Sequence, residues 1–233
     1  MLPQLIKLKG VALNLLFPQF CVGCGRDGAF ICLECVNKLP HIEPPVCLKC
    51  GIPIIENSFC DACANWAADI DGIRAPLRFE GIIRESVHQL KYQNLRAISA
   101  TLAEMLREFL VVNPVSADLL IPVPLHPKRL RERGYNQSAL LAQELSKSIG
   151  IPVDEKSLVR TRYSLPQART KSVAERHLNV VGLFECSADT VRGKNILVLD
   201  DVTTSGATLN ACATALKQAG AVAVRGLALA KEI

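Results

Sequence analysis

Apolar residues recur at helical spacing through GIIRESVHQLKYQNLRAISATLAEML, at Ile82, Ile83, Val87 and Leu90 and again at Leu95, Ile98, Leu102 and Leu106, which predicts helix across that stretch. A second helix is expected from about Gln137 to Ile149, with Gly150 as its stop, and a third over TLNACATALKQAG, closed by Gly220. Between these lie short apolar runs that read as strands: GIRAPLRFE at 72–80, DLLIPVPL ended by its prolines, NILVLD, and AVRGLALA near the end. Strands alternating with helices argue for a mostly parallel sheet covered on both faces. The segment from Pro152 to Asn179 keeps no period and reads as irregular and basic.

Before Trp66 the pattern is set by cysteine instead. Eight of the ten cysteines form four CxxC pairs, Cys21/Cys24, Cys32/Cys35, Cys47/Cys50 and Cys60/Cys63. Thiolates at this spacing bind one metal from a tight knuckle, and two knuckles complete a tetrahedral Zn(Cys)4 site with no position open for water. CVGCGRDGAFICLEC and CLKCGIPIIENSFCDAC share one plan, so two structural zinc sites are expected with sequential pairing, an interleaved cross-brace being the alternative. The chain is thus expected to divide into residues 1–66, an N-terminal helix and double zinc ribbon, and residues 67–233, an α/β domain. The first twenty residues are apolar, but two lysines interrupt them and no small-residue cleavage site follows. They are expected to form a short amphipathic helix without stable membrane insertion, in a cytoplasmic protein. Cys186 and Cys212 are expected to be small buried hydrophobes.

The 233 residues are 49% apolar with few aromatics, and the formal charge of +5 is too modest to imply nucleic acid by itself. Its distribution says more. Between His126 and His177 there are eleven Lys or Arg against five Asp or Glu. Phosphate is the ligand class this excess suits, and a solvated basic surface is the alternative.

In parallel sheets ligands gather beyond the carboxyl ends of the strands, where Asp200 and Asp201 are expected. An NTPase strand also ends in acids, but the GxxxxGK[ST] phosphate loop it requires is absent from the sequence. A receiver domain places its paired acids after the first strand, with most of the fold still to follow, which does not fit here. TTSGAT, immediately before a helix, offers backbone N–H groups, hydroxyls and a favourable helix end for a phosphate dianion. Two carboxylates just upstream can accept hydrogen bonds from a sugar diol, so the constellation suits a ribose 5-phosphate.

NILVLDDVTTSGATL resembles the phosphoribosyl pyrophosphate (PRPP) motif of type I phosphoribosyltransferases. With the CxxC knuckles, IPVPLHPKRLRERGYNQS and RTRYSLPQARTKSVAERHLNVVGLF, nearly the whole chain resembles ComF/GntX-type proteins, which are linked to bacterial DNA uptake and use. The resemblance implies a type I phosphoribosyltransferase-like parallel sheet behind the double zinc ribbon. It implies that Asp200 and Asp201 hold the ribose hydroxyls and that Val202, Thr203, Thr204, Ser205, Gly206, Ala207 and Thr208 wrap the 5-phosphate. Magnesium is expected with PRPP. His126, Lys128, Arg129, Arg133 and Asn136 are candidates to meet the departing pyrophosphate, with Arg133 foremost, although Asn136 equally suits a helix cap. Arg162 and Arg176 fall in the stretch that takes the place of a loop closing over PRPP. Lys91 and Tyr92 suit the active edge and a plain surface role equally.

Three functions compete. The first is a Mg-dependent transferase moving ribose 5-phosphate to a nitrogenous acceptor. The second is a module for single-stranded DNA with a regulatory PRPP site, against which the scarcity of aromatics argues. The third is a partner of a DNA-uptake helicase that docks through the ribbons.

Overall fold

A computed structural model describes residues 19–56, 58–162 and 182–233. The expected N-terminal helix, and Gln167, Arg169, Lys171 and Arg176 of the basic stretch, lie outside the described residues.

Two knuckles open the described chain, with short helices α1 (Leu33–Val36) and α2 (Asp61–Ala64) that each begin one residue after the third cysteine of a group. The stretch expected as one strand is two short ones, β1 (Ile73–Arg74) and β2 (Leu77–Arg78). Both pair with the last strand in one continuous parallel register, Ile73 with Gly226 and Leu77 with Ala230, so the ladder lapses without slipping. Pro76, which lacks an N–H, lies in the gap.

The long helical stretch is broken in two, α3 (Gly81–Tyr92) and α4 (Ile98–Val112). Asn94, at φ +57, makes the turn, a conformation that Asn tolerates better than most residues. β3 (Leu119–Pro122) follows, then α5 (Pro127–Arg133), a helix not anticipated from the sequence. The helix α6 (Gln137–Ile149) has the expected bounds, stopped by Gly150 at φ +73. The supposedly irregular stretch begins with a strand, β4 (Leu158–Arg160), antiparallel to β5 (Phe184–Cys186). A short α7 (Ala188–Val191) leads to β6 (Asn195–Thr203), α8 (Ala207–Gln218) and β7 (Ala223–Lys231).

The main sheet is parallel, ordered β1 and β2 beside β7, then β6, then β3. Its faces separate by strict alternation. Leu197, Leu199, Leu227 and Leu229 pack against α3, α4 and α6, while Ile196, Val198 and Val224 pack against α8 and the β4–β5 pair. Each such buried aliphatic contributes about 2 kcal/mol, which makes a one-residue slip of β6 prohibitive. This is the expected α/β sheet with both faces covered. Among the described residues no helix is long and apolar enough to cross a membrane.

Candidate functional site

β6 does not stop before its acids but runs through Asp200 and Asp201 to Thr203. Alternation therefore sends the two carboxylates to opposite faces of the sheet. Asp201 faces α3 and α6, is 2% exposed, forms an ion pair with Lys91 through Oδ2, and accepts a hydrogen bond from Gln137 Nε2 at Oδ1 (3.0 Å). Burial would raise its pKa, but the Lys91 ammonium and the Gln137 amide hold it below the ordinary carboxylate value. Asp200 uses one oxygen, Oδ1, to accept from Ser138 Oγ and from the Asp201 amide, each at 2.9 Å. Its Oδ2 accepts no hydrogen bond among the described residues. Burial, then the neighbouring Asp201 charge, pushes the Asp200 carboxyl up to about 7. The acids are thus unequal: one is committed to the scaffold and the other has an oxygen to offer.

Past Thr203 the chain turns through Thr204 and Ser205 into Gly206, at φ +81, and enters α8. The amides of Ser205, Gly206 and Thr208 donate to no group among the described residues, and the Ala207 amide meets Ser205 Oγ at 3.4 Å. Free amides at the start of a twelve-residue helix make an anion cradle. The demand for glycine comes from behind the cradle. A Cβ on Gly206 would lie 2.5 Å from Ile73 Cδ1 and 3.4 Å from the Trp66 ring.

A cleft of about 590 Å³ opens on the other side of Lys91, lined by Tyr92, Asn94, Arg96, Arg129, Glu132, Arg133 and Tyr135. Its cations are held in place: Arg96 lies 4.3 Å from the Tyr135 ring centre and Arg133 5.4 Å from that of Tyr92. Arg133 also donates to Gln137, the residue that binds Asp201.

At the other flank, the sulfurs of Cys21, Cys24, Cys32 and Cys35 lie within 4.8 Å of one another, as do those of Cys47, Cys50, Cys60 and Cys63. All eight thiols are free of disulfides. The Cys32 amide donates to Cys21 Sγ (3.3 Å) and the Cys60 amide to Cys47 Sγ (3.4 Å). Burial raises the Cys21 and Cys47 thiols, yet such amide donors bring both down to about 6. Four convergent sulfurs with N–H···S support fit zinc, with sequential rather than interleaved pairing.

Residues 12–64 match the double zinc ribbon domain family. The chain is 31% identical over 211 residues to competence protein F of Haemophilus influenzae, covering 86% of this chain and 90% of that one. The chain belongs to the ComF/GntX family. It is also 28% identical to the DNA utilization protein YhgH of Escherichia coli K12, over 91% of this chain and 96% of the relative. A superposition on the glutamine PRPP amidotransferase of Bacillus subtilis spans 57% of this chain and 26% of that one, with 25% identity and a TM-score of 0.40.

In this ComF-family chain several expected site residues have structural employment. His126 caps α5, its Nδ1 accepting from the Lys128 amide at 3.2 Å; in that helix's first turn Lys128 is exposed and Arg129 is half-buried. Asn136 caps α6 through the Ser138 amide (3.0 Å) and donates to the Val123 carbonyl (3.0 Å), so it shapes the loop that carries Gln137 and Ser138 toward the acids. Arg162 is exposed just past β4. Cys212 is fully buried, as expected, whereas Cys186 is only half-buried. Four residues that sequence reasoning did not place at the ComF-type site are Gln137, Ser138, Arg96 and Lys231. Gln137 and Ser138 had a signal in being the first two residues of the predicted α6, directed at the same sheet edge. Lys231 had none, because its role depends on the pairing of β7 with β6.

Proposed function

We propose that this protein binds PRPP at the end of β6 as a phosphoribosyltransferase-like member of the ComF family acting in DNA uptake or utilisation. The observation that carries the reading is the succession, within nine residues, of Asp200 with its open Oδ2 and the free amides of Ser205, Gly206 and Thr208. Asp200 would accept a ribose hydroxyl, while Asp201, buried against Lys91 and Gln137, would hold the Lys91 ammonium in position for the second. Val202, Thr203, Thr204, Ser205, Gly206, Ala207 and Thr208 would enclose the 5-phosphate. Residues 1–66 would form the ribbon unit and 67–233 the PRPP-binding unit, with Trp66 at their junction.

Transfer to a nitrogenous acceptor would break the bond from C1 to the diphosphate oxygen and form a C1–N bond, charge building on the diphosphate as it leaves. Arg133, Arg129 and Lys91, which line one cleft, would meet that charge. Among the described residues the only groupings of three or more candidate ligand side chains are the two cysteine sets. Magnesium would be held chiefly by diphosphate oxygens and water, with Asp200 as a protein group that could face it, and would neutralise the diphosphate. Calorimetric titration of zinc-loaded protein with PRPP should show binding that Asp200→Asn removes. Absence of binding at millimolar PRPP refutes the proposal. A screen for diphosphate release against bases and DNA, with Asp201→Asn as control, tests transfer.

One observation favours a second reading, a non-catalytic module for single-stranded DNA or a helicase partner with a regulatory PRPP site. Tyr92 is 68% exposed beside Arg133 in the cation-lined cleft, a ring available for base stacking. An affinity for single strands that falls steeply with salt and survives Asp200→Asn would select it.

A further inference from the structure

Lys231, the last residue of β7, is charged and only 2% exposed. Its Nζ donates to the Thr204 carbonyl at 2.6 Å, and the next amide, Glu232 N, donates to the Thr203 carbonyl at 2.9 Å. In a trans peptide the N–H points opposite to the C=O, so holding the Thr204 carbonyl toward Lys231 turns the Ser205 N–H away from it, into the cradle. Burial lowers the Lys231 pKa from its ordinary value, and the charges of the four sulfurs of the second cysteine group oppose that shift in favour of the ammonium. A zinc-bound tetrathiolate is net negative, and it supplies the countercharge that a buried ammonium needs.

A second route joins the same two places. Trp66, three residues after Cys63, packs with Cys47, Cys50 and Cys63 on one side and lies behind Gly206 on the other. Lys49, inside the Cys47/Cys50 knuckle, donates to the Trp66 carbonyl at 2.7 Å, and the Lys49 carbonyl accepts from Ile73 N at 2.8 Å. From there the chain is fastened to α8 by Ile70 N on Asn210 Oδ1 (3.1 Å) and Lys217 on Asp71 (2.6 Å).

We propose that Lys231 is a positioning residue through which the metal centre of the second ribbon holds the phosphate loop in its anion-binding form. Among the described residues the first ribbon has no such connection: Gly23 and Cys35 lie against Ile82 at the start of α3. For its ligand the inference rests on the PRPP reading above; for the brace it does not. The brace is tested in full-length, zinc-replete protein by hydrogen exchange at the Asn210 and Glu232 amides, which bond to the Gly206 and Thr203 carbonyls. Cys60→Ser, and separately Lys231→Met with both zincs retained, should speed that exchange about tenfold or more, while Cys24→Ser should change it by less than about twofold. Lys231→Met should also weaken PRPP binding about tenfold without loss of zinc. Trp66, the sole tryptophan, gives an optical signature. Its emission should respond to PRPP in wild type and Cys24→Ser and fail to respond in Cys60→Ser. Unchanged exchange in Lys231→Met, or equal effects of Cys24→Ser and Cys60→Ser, overturns the brace. Wild-type protein that fails to bind PRPP overturns the ligand reading alone, and the exchange measurements still decide the brace.

Discussion

The two ribbons are close local copies. In each, the third cysteine precedes a four-residue helix with nearly the same backbone, φ −75 and ψ 160 at Cys32 and φ −74 and ψ 162 at Cys60. In each, a glycine follows the first CxxC at positive φ, +75 at Gly25 and +73 at Gly51. Their surroundings differ. The first ribbon adds Cys21, Ile31, Cys35 and Leu39 to the core under α3 and α4. The second keeps a small cluster of its own and closes the open edge of the sheet: Ile73 N donates to Lys49 O, and Arg74 reaches the Leu48 carbonyl at 3.0 Å. An exposed sheet edge is a site for unwanted strand pairing, and here a metal knuckle and the chain leading to it cover it. One motif thus serves as core filler in one place and as a brace beside the candidate site in the other.

Metal loss should test that difference with the largest effect. Structural zinc contributes on the order of 10 kcal/mol to folding of its module. Cys47→Ser and Cys21→Ser should each reduce bound zinc from two ions to one by elemental analysis and lower the melting temperature, but only Cys47→Ser should abolish PRPP binding. Trp66→Ala comes next. Deleting a large ring from a packed site costs about 3 kcal/mol or more, and denaturant titration should show that loss together with weakened PRPP affinity. Phe30→Ala, in the first ribbon, should cost stability and leave affinity unchanged.

A pH series separates the ribbons from the acids. The Asp200 carboxyl titrates at about 7 in the folded chain and near the ordinary value when unfolded. The folded state therefore binds the extra proton between roughly pH 4 and pH 7, and stability falls as pH rises through that window. Asp200→Asn keeps an acceptor for Ser138 and removes the penalty. It should match wild type near pH 4 and exceed it above pH 7 by on the order of 4 kcal/mol, while losing PRPP. First-ribbon variants should leave this pH slope intact. The smallest effect sharpens the comparison most directly. A Cβ on Gly25 meets nothing within 4 Å, whereas one on Gly51 would lie 2.6 Å from the Ile73 carbonyl oxygen. Gly25→Ala should cost about 1 kcal/mol from backbone strain alone. Gly51→Ala should cost more in the same denaturant titration and also lower PRPP affinity, because it pushes the knuckle off the sheet edge.

Legibility followed the range of the forces involved. The bounds of α6 could be read because Gly150 and the apolar period are local signals. The break at Asn94 was not, since the apolar positions on either side continue the same spacing and the turn depends on one residue's φ. The hairpin of β4 and β5 was invisible because its strands are three residues each and far apart in the chain. At the site, the acid pair and the small-residue loop were plain in the sequence, but the strand was expected to end at the acids when it runs past them. That displacement of the strand end is what makes Asp200 and Asp201 unequal.

By itself the sequence determined the two cysteine quartets, the parallel α/β alternation and the small-residue loop after the acids, because each depends on residue identity at short spacing. Tertiary structure alone decided which acid carries the salt bridge and which ribbon touches the loop. It also decided that a lysine at the end of β7 holds a carbonyl after β6. Burial and countercharge are properties of chain segments brought together from opposite ends of the sequence, and no local pattern encodes them.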